Sequence, residues 1–193
     1  MSSMIRFLSF AALVLLGSCG VSGPPMNLSD ACSIYDERPS WRRAVERTES
    51  AWGAPASIQL AIMWQESRFV ADARPPRRRG FLGLFPGARR SSAYGYAQAI
   101  DGTWDWYRSD TGRRGADRDR FSDASDFIGW YMAKTTETNG VWMLDAYNQY
   151  LAYHEGHTGY RRGSYSSKSW LTDAARRVAD QAAVYDLQLS TCT

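Results

Sequence analysis

Among 193 residues there are only two histidines and three cysteines. That is a thin supply of the side chains that hold transition metals, and a third imidazole is missing altogether. His154 and His157 also stand three apart and straddle Gly156, where a helical zinc pair places them four apart. No stretch alternates convincingly between apolar and polar with period two, so a sheet protein is not expected. No internal repeat is present, which removes solenoids and propellers. After the first sixteen residues no second long apolar run occurs, so no further membrane candidate arises. What remains is an ordinary globular composition with a net charge of +3. Its aromatic share is high, with eight Trp and eleven Tyr. Most of these are expected in a core, and a surplus is expected to line a cleft.

At the N-terminus Arg6 precedes Phe7–Leu16, an almost wholly apolar run with small residues just after it. That run is too short to span a bilayer and reads as an export signal; a plain secretory signal or a buried helix are the alternatives. Leu16-Gly17-Ser18-Cys19 resembles the bacterial lipoprotein box, which implies acylation of Cys19 and a lipid anchor. By the sorting rule of such lipoproteins, Gly20 rather than Asp after that cysteine favours an outer membrane where the cell has one, with the protein facing the periplasm. Val21–Asp30 contains Gly-Pro-Pro and reads as a tether. The expected division is a signal over 1–18, a lipidated tether over 19–36, and one domain over 37–193. Cys32 and Cys192 would then be an even pair in an oxidising compartment, which favours a disulfide over two free thiols.

The domain reads as all-α. Helices are expected over Ser40–Ala51, Pro55–Ser67, Asp101–Arg108, Ser122–Thr138, Val141–Glu155 and Ser167–Leu189. Gly53, Asn139-Gly140 and Gly156 supply the stops. In the last helix Trp170, Ala174, Val178 and Ala182 recur at i+4, followed by Tyr185 and Leu189, an apolar stripe facing a core. Ala73–Arg90 departs from this order. It carries arginines at 74, 77, 78, 79, 89 and 90, no acidic residue, and the apolar run Phe81–Phe85. It reads either as a solvated loop or as a basic flap that touches an anionic polymer or a lipid surface. Nucleic acid is set aside as a partner, because an exported lipoprotein rarely meets it.

Glu66 closes the apolar stretch Pro55–Ser67, one turn after Ile62 and Met63. Apolar neighbours, partial burial and the negative end of a helix dipole would all raise its pKa. A carboxylic acid kept protonated near neutral pH is what departure of a glycosidic oxygen requires. Glu66-Ser67 is followed by Gly95-Tyr96-Ala97-Gln98 running into Asp101-Gly102-Thr103-Trp104, and then by Ala152-Tyr153-His154-Glu155-Gly156. In this order and spacing, over roughly residues 55–165, the chain resembles the lytic transglycosylase and goose-type lysozyme group.

The resemblance implies a lysozyme-like, single-domain fold with a groove for peptidoglycan glycan strands and no cofactor. It also implies one acid/base, Glu66, acting on the bond between N-acetylmuramic acid and N-acetylglucosamine to leave 1,6-anhydro ends. Ser67 would orient Glu66 or the sugar, and Gly95 would let backbone approach the glycan. Tyr96 belongs to the same segment and is carried as a substrate-binding candidate. Gln98 would hydrogen-bond near the acid, and Tyr153 would position the reacting ring. An envelope machine is a further partner to expect.

Tyr96-Ala97 stands where the group commonly has Leu-Met, and His154-Glu155 where it commonly has Asn-Ala. Glu155 is therefore either a helix-end surface acid or a second carboxylate able to activate water, as in ordinary lysozyme hydrolysis. A zinc hydrolase acting on stem peptides and a wall protein that only binds are the readings from other classes. Ala146-Tyr147-Asn148 competes for the last motif, but no glycine follows it.

Overall fold

The computed structural model describes residues 23–79 and 86–192. The signal, Cys19 and the apolar run Phe81–Phe85 lie outside them. Seven helices and one two-stranded pairing make up the described residues: α1 (Ala31–Glu37), α2 (Pro39–Trp52), α3 (Ala56–Ser67), β1 (Arg77–Arg79), β2 (Pro86–Arg89), α4 (Asp101–Thr111), α5 (Phe121–Asn139), α6 (Ala146–Arg161) and α7 (Ser169–Leu189). The fold is all-α in class, as the pattern predicts.

α3 is the centre of the molecule. Its residues Ser57 to Met63 are all buried, so the helix is covered on every side, as a core helix must be. It packs chiefly against α7, while α2 lies on α5, and α6 bridges α5 and α7. Burying Gln59 on such a helix requires partners for both ends of its amide. Its Nε2 donates to the carbonyls of Val45 (3.2 Å) and Ala54 (2.7 Å), and its Oε1 accepts from Ser125 Oγ (2.7 Å). Ser125 in turn shares a 3.0 Å bond with Thr48. One side chain thus ties α2, α3 and α5 together.

The folded unit begins before residue 37, where the tether was expected to end. Asp30 caps α1, accepting from the backbone of Cys32 (2.9 Å) and Ser33 (3.1 Å), and Ala31, Ile34 and Tyr35 are buried. Seven residues are too few to show a periodic stripe, which is why the pattern missed this helix. Cys32 and Cys192 form a disulfide that joins α1 to the end of α7, 160 residues apart in sequence. In the loop-entropy picture so long a closed loop is worth about 5 kcal/mol.

Two other expectations shift. The helix expected from Val141 begins at Ala146, because Asp145 accepts from the amide of Asn148 (3.0 Å) and caps it there. Trp170 is not on the buried stripe of α7; it is 56% exposed, and Leu171 is buried instead. At about 100° per residue a strict i+4 series drifts, so Trp170 lies roughly 120° around the helix from Ala182. Leu171, Ala174, Ala175, Val178, Ala182 and Tyr185 follow the true helical period.

The arginine-rich segment holds the only strands among the described residues. β1 and β2 pair antiparallel, Arg77 opposite Arg89 and Arg79 opposite Pro86. Arg89 donates to the carbonyl of Pro75 (2.5 Å), and the Arg74 guanidinium lies 4.0 Å from the ring centre of Tyr94. Arg77, Arg89 and Arg90 are exposed.

Candidate active site

α3 ends at Glu66-Ser67, and the chain then turns sharply. Arg68 and Phe69 both take left-handed backbone angles (φ 53° and 59°), an uncommon pair for residues with side chains. Packing holds them there. Phe69 is fully buried and stacks on Trp41 at 5.8 Å between ring centres; Trp41 stacks on Phe121 at 4.0 Å. The Arg68 guanidinium lies 3.7 Å from the ring centre of Trp64. The end of α3, and with it Glu66, is set by the core rather than by a loop.

Glu66 opens into a cleft of about 420 Å³. Its walls come from the segment Ser91–Ile100, from Thr103 on α4, from Phe127 and Tyr131 on α5, and from Tyr153–Gly156 on α6. Burial pushes the Glu66 carboxyl up to about 7, partly opposed by a hydrogen bond from the Tyr150 hydroxyl to Oε1 (2.8 Å). Tyr150 is itself buried and its phenol is raised well above its ordinary value, so it stays a neutral donor. Tyr150 was not among the expected site residues. The signal was present: it precedes Tyr153 by three, which places both on one face of α6.

Tyr153 lines the cleft and donates to the carbonyl of Ala97 (2.5 Å). Its phenol is raised well above its ordinary value by burial and then by the charge of Glu66. Its ring packs edge-on against Tyr131 at 5.2 Å. Gln98 also lines the cleft, but both bonds from its amide go to protein backbone at 2.9 Å each, one to the Gly95 carbonyl in its own loop and one to the Ala73 carbonyl in the segment before β1.

Three expected residues are turned elsewhere. The Ser67 hydroxyl is buried and donates to the carbonyl of Met63 (3.2 Å), one turn back along its own helix. Tyr96 points into the core, edge-on to Trp41 (5.5 Å) and Phe121 (5.4 Å). Gly95 is needed for a close approach, but to protein: a Cβ there would lie 2.0 Å from the carbonyl oxygen of Arg118, at a φ of 78°. Glycine at this place lets the two segments meet.

Glu155 is on the cleft wall, and its environment is opposite to that of Glu66. Lys168 Nζ donates to both of its oxygens (2.7 and 2.8 Å), Ser164 donates to one of them, and His154 Nδ1 lies 3.3 Å away. Burial would raise this carboxyl, but those bonds outweigh it and hold it below the ordinary carboxylate range. Gly156, with φ 72° and ψ 157°, breaks α6 directly after it. The helix resumes with His157, whose ring stacks on Tyr131 (4.6 Å) and shares a 3.1 Å bond with Thr135. His154 instead lines the cleft, so the two histidines are engaged in different places.

The cleft thus sets one carboxylic acid raised to about 7, Glu66, among aromatic walls, where it can protonate a leaving oxygen. The chain belongs to the transglycosylase SLT domain family, whose model it matches over residues 7–192. None of the curated proteins matches it.

Proposed function

We propose that this protein is a peptidoglycan lytic transglycosylase in which Glu66 is the single acid/base. Glu66, protonated up to about pH 7, donates its proton to the oxygen between N-acetylmuramic acid and N-acetylglucosamine as the C1–O bond breaks. The muramic 2-acetamido oxygen bonds to C1 and takes up the developing positive charge. Glu66, now a carboxylate steadied by the Tyr150 hydroxyl, takes the proton from the sugar's own 6-hydroxyl. O6 then bonds to C1, the acetamido oxygen leaves, and a 1,6-anhydro ring closes. Water takes no part.

The observation that carries this reading is the contrast between the two cleft carboxyls. Glu66 is raised to about 7, whereas Glu155 is held ionised by Lys168, with both oxygens occupied. A base that activates water needs a free oxygen and a proton affinity near the working pH. Glu155 has neither. Acylation at Cys19 would hold the domain at the inner face of an outer membrane, within reach of glycan strands and of an envelope machine. The exposed arginines of the β1–β2 pairing fit an anionic polymer or lipid surface nearby.

Digestion of purified sacculi in heavy-oxygen water, read by mass spectrometry, tests the mechanism. The expected products are unlabelled anhydro ends. Label in most muramic ends would mean hydrolysis and would overturn it.

A further inference from the structure

Trp170 stands in the first turn of α7 and is 56% exposed. A lone exposed indole is ordinary, but this one is attached to the cleft. Its ring lies 5.0 Å from that of His154, edge to face at 77°, and His154 is part of the cleft wall. Two residues earlier in the same segment, Lys168 reaches across to Glu155, the next residue of that wall. The start of α7 is therefore pinned to the cleft by an ion pair and presents an aromatic ring beside it. Trp142 provides the contrast: it is 69% exposed, yet it has no ring partner among the described residues.

We infer that Trp170, backed by His154, is a stacking platform for a pyranose ring of the glycan strand beyond the sugars at Glu66. A pyranose ring has an apolar face of C–H groups and a rim of hydroxyl and acetamido groups. The open indole matches the face, and the Lys168 ammonium and the His154 ring supply polar groups for the rim. The support is rigid, because Lys168 is held by both oxygens of Glu155 and the helix that follows buries one face, Leu171, Ala174, Ala175 and Val178, in the core. A platform on a fixed helix start pays little ordering entropy when a ring settles on it. This placement rests on the glycan-cleaving reading, since a neighbouring sugar exists only if the cleft takes a strand.

Calorimetric titration of the protein with the β-1,4-linked hexamer of N-acetylglucosamine tests it. Trp170→Ala is expected to weaken hexamer binding roughly tenfold, the usual size of one lost stacking contact. Trp170→Phe, which keeps a ring, is expected to recover most of that affinity. Trp142→Ala is the control, with hexamer affinity unchanged. Unchanged affinity in Trp170→Ala, an equal loss in Trp142→Ala, or no hexamer binding by the wild-type protein would each overturn the platform. Sacculus cleavage by the wild-type protein is read separately: cleavage with a failed platform leaves the enzyme intact, and absent cleavage sinks the enzyme reading itself.

Discussion

Glu66 and Glu155 share one cleft and differ in almost everything that sets a carboxyl's behaviour. Glu66 sits at the end of a helix buried on all sides and has one neutral hydrogen-bond donor, Tyr150. Glu155 sits beside a break in α6 and is surrounded by a lysine, a serine and a histidine. Desolvation acts on both, but only at Glu155 do charge-assisted bonds overcome it. The result is a proton donor on one wall and a fixed anion on the other. Environments that push two carboxyls apart in this way support the proposed assignment of Glu66 as the acid, while Glu155 braces the start of α7 through Lys168.

The sharpest way to break the comparison is Glu66→Gln. The amide is nearly isosteric and can still accept from Tyr150, but it has no acidic proton. Sacculus cleavage is expected to fall about 10²–10⁴-fold with the fold intact. A well-folded variant that keeps substantial activity would remove Glu66 from the mechanism.

The same variant carries a stability test with a definite sign. A carboxyl raised from 4.5 to about 7 stabilises the fold in full below about pH 4.5, and that contribution is lost as pH climbs through about 7. The loss is on the order of 3 kcal/mol. Gln does not ionise, so Glu66→Gln should melt several degrees higher than the wild type at alkaline pH, with the gap shrinking toward pH 5. A gap that does not change with pH would mean that Glu66 ionises without cost.

Tyr150→Phe removes the one donor that favours the Glu66 carboxylate. The alkaline limb of the rate profile should move to higher pH, and the rate at neutral pH should drop about tenfold. A rate loss with an unmoved profile would assign Tyr150 to packing alone.

The smallest effect is expected at the other wall. Glu155→Gln should leave anhydro products unchanged and lower stability by about 1–2 kcal/mol near neutral pH, because Lys168 loses its partner. A depressed carboxyl stabilises above its ordinary range and loses that contribution as pH falls through its own lowered value. The melting deficit should therefore fade in acid; the Glu66→Gln difference fades there too, but it is a gain where this one is a loss. Loss of all cleavage in Glu155→Gln would make it a second catalytic group.

Much of the fold was legible because its helices are long and obey local rules. Gly53, Gly112 and Gly140 end α2, α4 and α5 in left-handed caps, and two of these stops stand out in the sequence. The seven-residue α1 and the short β1–β2 pairing were not legible, since neither is long enough to show a period. At the site, Glu66 and Tyr153 could be read from order and spacing, and both face the cleft. Ser67, Gly95 and Tyr96 were read from the same motifs and face the protein instead. A motif records that a residue type is required at a position; it does not record which side of the backbone requires it.

The sequence by itself determined the helical class, the cysteine pair and the family, because each rests on periodicity, parity or residue order along the chain. Only the tertiary structure decided what each carboxyl can do. Proton affinity depends on desolvation and on partners 84 residues away for Glu66 and thirteen for Glu155. Such distances in sequence become contacts only when α3, α6 and α7 pack.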